Sequence, residues 1–72
     1  MKIAYLATWT FQDRVTRARF FYSRPEVDEF VFGFGGEFER SFKDDLGHVS
    51  IYNANYGPYY GKIHIRTVME VN

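Results

Sequence analysis

Few side chains in this sequence can do catalytic chemistry. His48 and His64 are the only histidines and cysteine is absent. A metal site would therefore need both imidazoles plus a carboxylate such as Asp44, Asp45 or Glu70, with no recognised ligand spacing. Ser41 or Ser50 can be set beside His48 and Asp45 as nucleophile, base and orienting acid, but no nucleophile elbow surrounds either serine. Gly33-Phe34-Gly35-Gly36 has the glycine content of a phosphate-binding loop without its context. It follows a helical pattern where such loops precede one, and Glu37 and Glu39 beside it repel phosphate. The residues point away from an enzyme, and no cofactor or metal is expected.

Binding chemistry is better represented. Tyr52, Tyr56, Tyr59 and Tyr60 cluster around Gly57, Pro58 and Gly61. Tyrosine offers a broad rigid contact at little entropic cost and keeps a hydroxyl for a partner, which suits a docking surface. The same rings could instead fold back over the end of a sheet. Arg14, Arg17, Arg19 and Arg24, near Trp9, Phe21 and Tyr22, form a second candidate: guanidinium groups neutralise phosphates while rings stack on unpaired bases. No RNP-type motif accompanies them, so RNA or single-stranded DNA binding through Arg17 and Arg19 is the alternative reading and a protein contact the leading one.

Charge is segregated along the chain. The formal net charge is zero, but residues 1–24 sum to +4, residues 25–45 to −5 and the remainder to +1. That asymmetry predicts a basic and an acidic side that would orient a partner. The acidic stretch is interleaved with phenylalanines and too sparse to imitate a DNA backbone.

These residues must be positioned by a small scaffold. Seventy-two residues make a single domain spanning 1–72, because a chain this short buries only about 60% of its unfolded surface and cannot supply two cores. Eight Phe, six Tyr and one Trp exceed what one such core needs. Some rings should therefore lie at the surface, where a cluster marks an interaction site. Residues 2–11 alternate Ile3, Tyr5, Ala7, Trp9 and Phe11 with smaller or polar residues, and residues 15–22 resume an extended aromatic character; together they predict an antiparallel hairpin. Ser23 and Glu26 have capping-box spacing, and Pro25 fits a first helical turn. Val27, Phe30, Val31 and Phe34 continue at helical steps, and Phe38 and Phe42 extend the stripe. Gly33, Gly35 and Gly36 predict a stop or kink, with a further helical turn or two over 37–43. Residues 48–53 and 61–71 read as strands, joined by a loop over 54–60.

The expected architecture is α+β: a four-stranded, mainly antiparallel β-β-α-β-β sheet with one helix packed on one face. No apolar run is long enough for a membrane span and the N-terminus is not patterned as a signal peptide, so no membrane contact and a cytoplasmic location are expected. Self-association through an uncovered sheet face or edge remains open.

The stretch from Arg14 to Phe30, an arginine- and aromatic-rich strand running through a capping serine into an acidic helix, resembles small accessory proteins encoded by tailed bacteriophages. The resemblance covers about a quarter of the chain. It implies a non-enzymatic protein acting in the host cytoplasm by contact with a host protein such as a defence factor, which it inhibits or by which it is sensed. It transfers no functional residue.

Overall fold

Alternation in the first residues forms β1 (Lys2–Thr10), which turns back into β2 (Thr16–Phe21). A computed structural model describes residues 2–56 and 59–70, with the backbone alone for residues 2, 56, 59, 69 and 70. The turn is closed by the Arg14 N–H on the Phe11 carbonyl at 3.0 Å, and Arg14 takes the left-handed conformation at φ 61°. Asp13 fixes it from within: one carboxylate oxygen accepts the Val15 N–H at 3.0 Å, and the other accepts from the Arg17 guanidinium at 2.7 Å.

The helix α1 (Arg24–Gly33) begins as the capping pattern requires. Ser23 is extended and its hydroxyl accepts the Glu26 N–H at 3.4 Å. The glycines end it in a Schellman closure, with Gly36 N–H on the Val31 carbonyl and Gly35 N–H on the Phe32 carbonyl, both at 2.9 Å, and Gly35 at φ 62°. A Cβ on Gly36 would collide with Val31, so the chain leaves the helix only with glycine there.

Beyond the helix the structure departs from expectation. Residues expected to continue as helical turns form β3 (Glu37–Asp44), followed by β4 (Gly47–Tyr56) and β5 (Tyr59–Glu70). The sheet has five antiparallel strands, not four, in the order β2-β1-β5-β4-β3. Phe38 and Phe42, four residues apart, imitate a helical stripe. A β-bulge between Phe38 and Arg40 instead shifts the register, so Phe38 opposes Tyr52 while Phe42 opposes Val49, on the other face. The loop expected over 54–60 is also mostly strand: Ala54 pairs with Gly61, Asn55 with Tyr60 and Tyr56 with Tyr59. Gly57 and Pro58 lie outside the described residues. Gly61 serves close approach, not turning, since a Cβ on it would strike the Thr10 carbonyl of β1.

One face of the sheet carries Ala7, Phe11, Phe21, Ala54, Ile63 and Ile65, buried beneath Val27 and Val31 of α1. A ring lattice seals this core: Trp9, Phe21 and Phe34 each lie about the Phe30 ring at centroid distances of 4.9, 5.0 and 5.1 Å. The helix packs chiefly against β1 and β2. It therefore leaves the β4–β3 half of its own face uncovered by helix, while on the opposite face Ala4, Val49 and Ile51 are buried without one. Among the described residues no helix is long and apolar enough to cross a membrane.

Candidate protein-binding surface

Thirteen of the fifteen rings have described side chains, and six of these are exposed: Phe20, Tyr22, Phe32, Phe38, Phe42 and Tyr60. The surplus is thus real on the folded chain. What it can do depends on how the rings are arranged.

The best-ordered arrangement lies on the helix side, over the half that α1 does not reach. Phe38, 60% exposed, stands edge-on to Tyr52 with centroids 5.6 Å apart and planes at 72°. The Tyr52 hydroxyl accepts a hydrogen bond from Arg24 Nη2 at 2.8 Å. Arg24 is held in turn by Asp28 at 3.1 Å and lies 5.9 Å from the Tyr5 ring centre. Three elements thus converge: β3 supplies Phe38, β4 supplies Tyr52, and the first turn of α1 supplies Arg24. Tyrosine, phenylalanine and arginine are all enriched at protein interfaces. Because each is already locked by a neighbour, little side-chain freedom is lost when a partner arrives.

The tyrosines expected to form one cluster are divided. Tyr52 opposes Ile63 and belongs to the helix face, whereas Tyr60 opposes Asn55 and belongs to the other face, 59% exposed. The side chains of Tyr56 and Tyr59 lie outside the described residues. Arg17 and Arg19 share the helix face with Tyr52 but sit on β2; the register runs Arg17–Trp9–Ile63–Tyr52, three strand spacings or about 14 Å across. They are not part of the Tyr52 patch.

Folding pairs charges that lie far apart in the sequence. Asp44 accepts two hydrogen bonds from Arg66, both at 2.9 Å. Those bonds, with the Leu46 N–H, hold the Asp44 carboxyl down to about 2. Glu39 pairs with Lys62 and accepts from Asn53, which lowers its pKa as well. Arg17 is tied to Asp13, whose pKa falls for that reason first. Arg19 stacks 4.7 Å over Phe21 at a shallow cleft that it shares with Glu26 and Glu29. Carboxylates thus lie beside Arg17 and Arg19, where they oppose the approach of a nucleic-acid backbone.

His48 and His64 lie on opposite faces of the sheet, since His48 opposes Lys43 while His64 opposes Ile51, an odd number of positions away along β4. They cannot join in one site. Ser50 is buried and Ser41 is its cross-strand partner. Among the described residues no group of three or more His, Asp or Glu side chains is placed to hold a metal ion.

In the sequence Arg24 reads as part of the arginine face and not as a neighbour of Tyr52, and Phe38 reads as part of a helical stripe; the signal for Phe38 is its place just after a helix-ending glycine run, where a new strand can start. Comparison of the chain with protein families, curated proteins and solved structures returned no match.

Proposed function

We propose that this domain is a non-enzymatic protein-binding module that docks a partner on the patch formed by Phe38, Tyr52 and Arg24. The observation that carries the reading is the Phe38 ring, 60% exposed yet braced against Tyr52. What singles out Phe38 among the exposed rings is its company, a tyrosine and an arginine held beside it, residue types enriched at interface cores. The partner would offer an apolar side chain to the Phe38 edge and a hydrogen-bond acceptor to Arg24. The resemblance of residues 14–30 to phage accessory proteins makes a bacterial host protein, such as a defence factor, the partner to look for, with the domain inhibiting it or being sensed by it.

The test is affinity capture from bacterial lysate with the native chain and with Phe38→Ser. A protein retained by the native chain and lost with Phe38→Ser supports the reading. Retention of nucleic acid and no protein, with binding that weakens steeply in salt and falls in Arg17→Ala and Arg19→Ala, would transfer the function to the arginine face.

A further inference from the structure

The two edges of the sheet differ. β3 is interrupted by its bulge and carries charge along its length at Glu37, Glu39, Arg40, Lys43 and Asp44, two devices that discourage the addition of a strand. β2 pairs with β1 without interruption, and Thr16 to Phe20 are all exposed. The direction of its backbone groups follows from the neighbouring strands. A methyl on Gly61 would strike the Thr10 carbonyl, so Thr10 turns its N–H and C=O toward β5. A methyl on Gly47 would meet the Thr67 carbonyl, which sends the odd residues of β5 toward β4 and leaves Lys62 to face Thr10, in agreement. Backbone groups alternate in direction along a strand, and at a pair where one residue turns away from its partner the partner turns away too. Thr16, opposite Thr10, therefore points its N–H and C=O out of the sheet edge, and Ala18 and Phe20 do the same at steps of two.

Beside this edge β2 and α1 form a shallow cleft, with Arg19 and Phe21 on the strand and Glu26, Glu29 and Phe30 on the helix. Neither Glu26 nor Glu29 has an ion-pair partner among the described residues. The strand brings the opposite sign: residues 13–20 carry Arg14, Arg17 and Arg19 against Asp13, a net charge of +2. We propose that β2 pairs antiparallel with β2 of a second copy, about a two-fold axis through Phe20 and perpendicular to the sheet. The pairing joins the two sheets into one, with both helices on the same side. It lays the basic start of each strand along the acidic start of the other copy's helix.

Charge selects that axis. A two-fold at Arg17 or Arg19 would set that arginine against its own copy, and one at Ala18 would set Arg17 against Arg19, like charges directly opposed in each case. One at Thr16 would run the copy into the β1–β2 turn at Arg14. At Phe20 the opposed pairs are Arg19 with Phe21 and Ala18 with Tyr22. Arg19, which lies over its own Phe21 ring at 4.7 Å, then faces the same ring of the copy and the cleft of its Glu26 and Glu29. On the other face Phe20, 49% exposed, meets its counterpart on the axis, and Tyr22, 62% exposed, comes beside the small Ala18. This edge lies across the sheet from Phe38, so the dimer goes beyond the proposed docking function and holds or fails independently of it.

The experiment combines sedimentation equilibrium with amide hydrogen exchange on the full chain, between about 1 μM and about 500 μM. The native chain is expected to dimerise as its concentration rises. The Ala18 and Phe20 amides should then gain about tenfold protection, while those of Arg17 and Arg19, already bonded to β1, change little. Phe20→Lys sets two ammonium groups together on the axis and should be monomeric, with circular dichroism checking that it is folded. A native chain that stays monomeric at the highest concentration, or a dimer in which Ala18 and Phe20 exchange as fast as in the dilute chain, would overturn the proposal. A covalent trap tests the axis should the lysine disrupt the fold. Two residues opposed at a hydrogen-bonded pair stand about 5.5 Å apart between Cα atoms, within disulfide reach. The chain has no cysteine, so Phe20→Cys under mild oxidation should close into a disulfide-linked dimer, whereas Phe42→Cys, exposed on the opposite edge strand, should not. Equal yields from the two variants would contradict the axis.

Discussion

Two glycine-to-alanine changes should move stability in opposite directions, although both remove a glycine from a regular element. Gly61 sits in β5 with Thr10 of β1 so close that an added methyl would strike the Thr10 carbonyl, and the ring of Phe11 lies 3.4 Å away on the same side. In Gly61→Ala the two strands must part at their Thr10–Lys62 end, where their pairing stops. A lost or stretched backbone hydrogen bond costs about 1 kcal/mol, and strain against a packed ring costs about 1–3 kcal/mol. The entropic gain of alanine over glycine offsets about 0.5–1 kcal/mol. The net expectation is destabilisation by about 2 kcal/mol, a fall in Tm of about 8–16 °C for a domain this small. Gly33 closes α1 with nothing within 4 Å of its Cβ position. There Gly33→Ala should stabilise by about 0.5–1 kcal/mol. Urea denaturation read by tryptophan fluorescence measures both, with the midpoint shifting and the slope unchanged. If Gly61→Ala proves as stable as Gly33→Ala, the close β1–β5 approach is wrong.

The β1–β2 turn offers a second gain. Arg14 adopts φ 61°, a conformation that suits glycine, so Arg14→Gly should raise stability by about 0.5 kcal/mol in the same urea assay, and a loss would show that the Arg14 side chain contributes more than its backbone strain costs. Acid is a third probe. The Asp44 carboxyl titrates at about 2 in the folded chain against 3.8 ordinarily, so its contribution is complete above about pH 4 and is lost as pH falls through 2. Asp13 and Glu39 are lowered in the same sense. The Tm of the native chain should therefore decline between pH 4 and pH 2 more steeply than that of Asp44→Asn, and parallel profiles would discount the Asp44–Arg66 contact.

Much of this architecture could be read before folding, and the rest could not for identifiable reasons. The first hairpin and the last strand show period-two patterning, and α1 carries its cap at Ser23 and its stop at Gly35 and Gly36, so each was legible locally. The third strand was not. Its sequence, Glu-Phe-Glu-Arg-Ser-Phe-Lys-Asp, is exposed throughout, and its bulge breaks the alternation by which a strand is recognised. Asn, Gly and Pro made residues 54–60 look like a loop, yet Asn55 of β4 pairs with Tyr60 of β5, and Gly61 is demanded by the backbone of β1, far away in the chain. The excess of rings was countable, but their distribution depended on register. One bulge decides that Phe38 joins Tyr52 while Phe42 joins the opposite face. The ion pairs of Asp44 with Arg66 and Glu39 with Lys62 likewise cross strands that the linear charge pattern keeps apart.

The ring exposed at Phe38 is either a binding contact or a passive feature of an uncovered sheet. Phe38→Ser removes a side chain that is mostly in water, so it should cost the fold only about 1 kcal/mol. At the centre of an interface the same change should weaken binding by about 2 kcal/mol or more, about thirtyfold. The decisive measurement is the dissociation constant of the captured bacterial protein for the native chain and for Phe38→Ser, taken well below the Tm of either. A thirtyfold loss with the fold intact is the predicted result. Equal affinity for the two chains would contradict the assignment of the Phe38–Tyr52–Arg24 patch.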